Sequence, residues 1–252
     1  VIEHPSILNA CIKLEGAGEK ITYLPVDADG LIDPKVLAEK LKPNTRLVML
    51  HYGNSEIGVI QPIAEITKVI RKHRKSHATT FPYFHLDACQ VTRFFDLNVA
   101  KLGVDLLTLN GGKIYGPEGS GVLYVKRGIK LRSMFVGGGQ ENGRRSGTEN
   151  LSAIEGLAKA LKLCEKLREK ETLRLTKLRD YFIKELLKIP DTVLNGSGTA
   201  RLPHNINVSF LGTDSEYVVL SLDAKGVACS SGSACSARSE SASYVLKSLG
   251  AN

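Results

Sequence analysis

The sequence predicts an α/β fold: a three-layer domain built on a mainly parallel sheet, followed by part of a smaller α+β unit. Three observations carry that prediction. Short, near-continuous apolar runs of strand length recur through the first half of the chain. Amphipathic stretches of helical spacing fill several gaps between them, as crossovers between parallel strands require. A long leucine-spaced stretch then separates this half from a shorter alternation of strand-like and helix-like segments.

The elements follow in order. ITYLPVD (21–27), RLVMLHY (46–52), YFHLDA (83–88), VDLLTL (104–109) and GVLYV (121–125) read as strands, and the first four end just before polar or Gly-rich turns. Asp33 followed by Pro34 reads as an N-cap and first helical position before VLAEKL. Ile63, Ile66, Val69 and Ile70 recur at helical spacing and predict a helix over 63–77 that joins the second strand to the third. Residues 150–188 carry leucines at helical spacing with interspersed opposite charges, expected to form a connecting helix pair. Beyond them HNINVSFLG, EYVVLSLDAKG, VACSS and SASYVLKSLG read as strand, helix, strand, helix. The expected division is 1–150 for the large domain, 151–190 for the connecting helices and 191–252 for the small C-terminal unit.

Composition narrows the function classes. With 42% apolar and 24% charged residues the chain is an ordinary globular one, and no apolar run approaches the length of a membrane span. VIEHPSILNA lacks the basic start and apolar centre of a signal peptide. Cysteines at 11, 89, 164, 229 and 235 form an odd, scattered set without zinc-ligand spacing, which fits free thiols in a reducing cytoplasm. The net charge of +8 peaks in RKHRK (71–75), the solvated face of the 63–77 helix, and no aromatic residue interrupts that cluster. Neither nucleic acid nor membrane is an expected partner.

Two strand ends carry the chemistry. LDACQ (86–90) puts Asp87 at the end of an apolar strand, and NGGKIYGPEGSG (110–121) puts Lys113 in a glycine-rich turn after the next one. Alone, Asp87 reads as a turn cap and Lys113 as a surface lysine. Together they project from successive strand ends on the ligand side of one parallel sheet. Pyridoxal 5'-phosphate needs those two groups: an amine to hold its aldehyde, and a carboxylate to keep its ring nitrogen protonated so that the ring accepts electrons.

Six motifs in order then resemble the cysteine desulfurases, a family of class V aminotransferase-like, fold type I pyridoxal phosphate enzymes. They are Glu3–His4, the NxExG turn at Asn54, Glu56 and Gly58, DxxQ at Asp87 and Gln90, KxYGPxGxGxLY from Lys113 to Tyr124, GGGQENGRRSGTEN (137–150) and SSGSACS (230–236). The resemblance implies roles residue by residue. His4 stacks on the cofactor ring, Asp87 pairs with its nitrogen, Gln90 bonds its phenolic oxygen and Lys113 carries its aldehyde. Asn54, Ser55 and Asn110 stand at further cofactor positions, and Thr148 matches a residue that reaches the phosphate in the neighbouring subunit of a homodimer. Cys235 matches the nucleophilic cysteine, which takes sulfur from L-cysteine, leaves L-alanine, and passes a persulfide to an acceptor such as an iron–sulfur scaffold, where the same thiol is expected as a transient iron–sulfur ligand. A nucleophile with that task needs exposure, and Gly232, Ser233 and Ala234 leave it unencumbered. Cys11 and Cys164, in helical patterns, read instead as small buried residues.

The sequence departs from the family's pattern at three places. Gly112 and Asn110 stand where the family has a histidine and a serine for the phosphate, and Ser55 where it usually has an asparagine. A phosphate-binding Thr turn at the start and a substrate-carboxylate Arg near the end have no counterpart in these 252 residues, so the chain reads as a fragment lacking both ends. Selenocysteine lyase is the nearest alternative among enzymes, separable by relative rates on the two amino acids. A scaffold that has lost the cofactor is the alternative from another class, separable by colour.

Overall fold

A computed structural model describes residues 1–231 and 243–250. In chain order the elements are α1 (Pro5–Gly16), α2 (Pro34–Lys40), β1 (Leu47–His51), α3 (Ile63–Ser76), β2 (Tyr83–Asp87), α4 (Val99–Leu102), β3 (Leu106–Asn110), the 3-10 turn η1 (Gly111–Ile114), β4 (Gly121–Val125), α5 (Gln140–Gly143), α6 (Leu151–Leu186), β5 (Thr192–Leu194), β6 (Val208–Phe210), α7 (Ser215–Asp223) and α8 (Tyr244–Ser248). The main sheet has the order β1-β2-β3-β4, with the first three strands parallel and β4 antiparallel to β3.

The core lies between one face of this sheet and the helices α2 and α3. Val48, Leu50, Phe84, Leu86 and Leu107 on the strands meet Leu37, Ile63, Ile66 and Ile70 on the helices. Asp33 caps α2 by accepting from the Lys35 N–H at 2.8 Å, and Pro34 takes the first helical position, as the sequence predicts. The strands alternate, so Met49, His51, His85 and Asp87 point to the opposite face, where α1 begins. At the amino-terminal edge of the sheet Asp105 is 3% exposed and accepts from the Phe84 N–H at 2.9 Å. It also pairs with Arg74 of α3, and Lys126 lies 3.4 Å from its other oxygen. One carboxylate thereby ties α3, β2 and the end of β4 together.

Three expectations are corrected. Residues 21–27 form no strand: a strand needs a ladder partner, and here Leu24 and Val26 pack on the core while the chain turns at Asp27, whose carboxylate accepts from the Leu31 N–H. Residues 150–188 contain one uninterrupted 36-residue helix rather than a pair, since they hold no proline and their one glycine, Gly156, lies in the second turn. VACSS is not a strand over Val227–Ser231, whereas β5, which the sequence reading passes over, pairs antiparallel with β6. The small unit is bonded to the NxExG turn: the Asn205 and Asn207 side-chain amides both donate to the Glu56 carbonyl, at 2.9 and 3.1 Å.

Candidate active site

The site forms where β1, β2 and β3 end. His51, Asp87 and Thr108 are register partners across the three strands and share one face. Asp87 accepts from the Cys89 N–H at 2.9 Å, which turns the chain out of β2 and leaves the carboxylate half-buried. Ala88 and Val91 are fully buried and anchor that turn, while the half-buried Gln90 amide bonds to no protein group among the described residues.

Lys113 is presented by a scaffold that holds the residues on either side of it. Asn110 caps η1 by accepting from the Gly112 N–H at 2.9 Å. The Gly111 N–H donates to the Ser120 carbonyl, and a side chain on Gly111 would overlap the Ser120 hydroxyl. Ile114, 2% exposed, packs on Leu157 and Ala160, so the long helix α6 backs the turn. Lys113 itself is exposed and has no salt-bridge partner among the described residues. Tyr115 closes η1 in the left-handed region at φ 60°, an uncommon conformation for a residue with a side chain. The Arg93 guanidinium stacks on its ring, 4.6 Å from the centroid.

His4 is exposed at the N-cap of α1, its Nδ1 accepting from the Ser6 N–H at 3.2 Å. Asn54 is buried, and its amide is engaged with the backbone: Nδ2 donates to the Ile2 carbonyl at 3.0 Å, and Oδ1 accepts from the Glu56 and Ile57 N–H groups. Ser55 is exposed between them, and Thr148 is exposed just before Asn150, which caps α6. Cys235 lies outside the described residues.

The thiols differ in what they can do. Burial pushes the Cys89 thiol up, and the charge of Asp87 adds to this while that of Lys113 partly offsets it, so Cys89 stays protonated within electrostatic reach of both groups. Burial likewise raises Cys11 and Cys164. A thiol held protonated is a poor nucleophile, which argues against Cys11, Cys89 and Cys164, whereas Cys229 is exposed. Among the described residues no cluster of His, Cys, Asp and Glu could hold a metal ion, and no helix is long and apolar enough to cross a membrane.

Sequence reasoning missed two features. Glu3 and His51 form a buried pair, Oε1 to Nδ1 at 2.9 Å, and the Tyr244 hydroxyl donates to the Glu3 carbonyl at 2.6 Å. A histidine at the end of an otherwise apolar strand was the signal available for the first; nothing local links residue 244 to residue 3.

Known proteins resemble the chain in sequence and in fold. The chain is 45% identical over 249 residues to the cysteine desulfurase IscS of Dictyoglomus turgidum, covering 98% of this chain and 61% of that protein. It is 43% identical to the IscS of Methanosarcina thermophila, covering 99% and 60%. It spans about three fifths of the length of these curated relatives. Among solved structures it superposes on a NifS-like protein with a TM-score of 0.89 at 28% identity, covering all of this chain and 64% of the other. It superposes on SspA in complex with cysteine with a TM-score of 0.81 at 33% identity, covering 100% and 68%. The aminotransferase class-V family model matches residues 1–250, and the chain belongs to that family.

Proposed function

We propose that this chain is the larger part of a pyridoxal phosphate-dependent cysteine desulfurase. The observation that carries the reading is the placing of Asp87 and Lys113 at successive strand ends of one parallel pair. The groups present fit the cofactor: an exposed amine for its aldehyde, a half-buried carboxylate for its ring nitrogen, an amide at Gln90 that is unengaged among the described residues and an exposed imidazole at His4. When bound, the cofactor supplies an electron sink for the charge left on the substrate.

This chain's residues would supply the rest. With the cofactor bound, Asp87 would hold a proton on the ring nitrogen, Gln90 would bond the phenolic oxygen, and the Lys113 amine would move the substrate α-proton. The Asn110 amide and the Gly112 turn would hold the phosphate, and Thr148 would serve the site of a second copy in a homodimer. The Cys235 thiolate attacks the substrate sulfur, the carbon–sulfur bond breaks, and the substrate carbon takes that electron pair and a proton. L-cysteine and one protein thiol thus become L-alanine and one protein persulfide, for transfer to an acceptor such as an iron–sulfur scaffold. Two relatives named cysteine desulfurase and a structural relative titled as a complex with cysteine support the substrate class.

The test is alanine and sulfide production from L-cysteine by the full-length protein with dithiothreitol. The Cys235→Ala variant is expected to keep bound cofactor and lose turnover by at least about 100-fold, the scale of losing an activated nucleophile. Turnover at the wild-type rate would remove the persulfide step.

A further inference from the structure

Residues 2 and 3 are tied down at three points by two distant parts of the chain, the segment 51–54 and Tyr244. The Ile2 carbonyl accepts from Asn54 Nδ2, the Glu3 carbonyl accepts from the Tyr244 hydroxyl, and the Glu3 carboxylate pairs with His51. Their common product is a fixed starting point for α1, whose N-cap is His4.

The Glu3–His51 pair is poorly explained by stability. Glu3 is 8% exposed and His51 4%. Taking a carboxylate out of water costs about as much as one polar partner returns, and apolar residues of similar volume do as well or better. The pair is also only half satisfied: Glu3 Oε2 and His51 Nε2 are buried without a hydrogen-bond partner among the described residues. Such atoms are rare in folded proteins, and each calls for an explanation. Burial alone would raise the Glu3 carboxyl, and the neighbouring His51 outweighs it, so Glu3 stays ionised. His51 also stands beside Asp87 in the row of side chains at the strand ends.

Resting on the reading of Asp87 and Lys113 as a pyridoxal phosphate site, we propose that His51 is a positioning residue that acts through Glu3 to hold His4 at the cofactor. Nothing in this requires His51 to touch the cofactor. It requires that the benefit of His51 disappear when His4 is removed.

The experiment is a double-mutant cycle on the full-length protein, reading pyridoxal phosphate affinity of the apo-protein and the visible circular dichroism of the bound form. His51→Ala is expected to weaken affinity by about ten-fold and to change the dichroism when His4 is present, and to weaken it less than about two-fold in a His4→Ala background. His51→Asn, whose amide can donate where Nδ1 does, is expected to restore most of the loss. Equal losses in both backgrounds, or unchanged affinity with His4 present, would overturn the proposal. Should His51→Ala fail to fold, Tyr244→Phe removes one of the three ties and is expected to show the same dependence on His4; an effect independent of His4 sinks the proposal. A wild-type protein that binds no cofactor overturns the proposed function and this inference with it. A wild-type protein that binds it with no dependence on His51 overturns this inference alone.

Discussion

The Arg93 guanidinium lies 4.6 Å from the ring centroid of Tyr115, and its Nη1 donates to the Tyr115 hydroxyl at 3.2 Å. Arg93 follows the turn that presents Asp87, and Tyr115 ends the turn that presents Lys113, so this contact bridges the two turns. An exposed cation–π contact is worth about 0.5–1 kcal/mol. Arg93→Ala is therefore expected to weaken cofactor affinity by about two- to five-fold with little change in melting temperature, as a titration and a melting curve would show. Unchanged affinity would mean that the Lys113 turn is held by α6 and its own hydrogen bonds alone.

Asp105 gives the clearest stability prediction. Its carboxylate is buried against the Phe84 N–H, Arg74 and Lys126. Asp105→Ala breaks a buried pair and is expected to cost about 3 kcal/mol. The urea midpoint should fall without a change in slope, and a shift below about 1 kcal/mol would mean that solvent compensates Arg74.

Gly58 has φ +71°, and a side chain there would overlap Asn205, whose amide bonds the Glu56 carbonyl. Gly58→Ala combines a left-handed strain with displacement of that tie, together about 2 kcal/mol. Thermal melts should report a lower midpoint, and a neutral result would show that the 53–60 turn adapts.

Two buried carboxylates, Glu3 and Glu56, predict opposite pH slopes. Glu3 titrates below its ordinary value of 4.5 when folded, so its contribution is complete above that value and is lost as pH falls through the lowered one. Burial raises Glu56, opposed by a hydrogen bond from Ser243, so the folded state holds its proton longer and stability falls as pH rises from 4.5 through the raised value. Glu3→Gln should flatten the acid limb of a stability–pH curve, and Glu56→Gln the limb above pH 4.5. Parallel curves for wild type and both variants would contradict these assignments.

What the sequence discloses is what short-range physics decides. The Asp33–Pro34 cap, the 63–76 helix and four strands each follow from residues within one element, and Asp87 and Lys113 stand out because polar residues end apolar runs. The segment 21–27 has strand composition but no ladder partner, a condition set by distant chain. One long helix replaces the expected pair because nothing between residues 151 and 186 breaks it, and its interspersed opposite charges favour the helix they decorate. The ties of residues 2 and 3 to Asn54, His51 and Tyr244 leave no local signature, since each partner is far away in sequence.

The central claim is that Lys113 carries pyridoxal phosphate. The direct measurement is borohydride reduction of the full-length holoprotein, followed by proteolysis and mass spectrometry of the labelled peptide. The account predicts a phosphopyridoxyl group on Lys113 and none in the Lys113→Ala variant. Labelling of a different lysine, or equal labelling of wild type and variant, would contradict it.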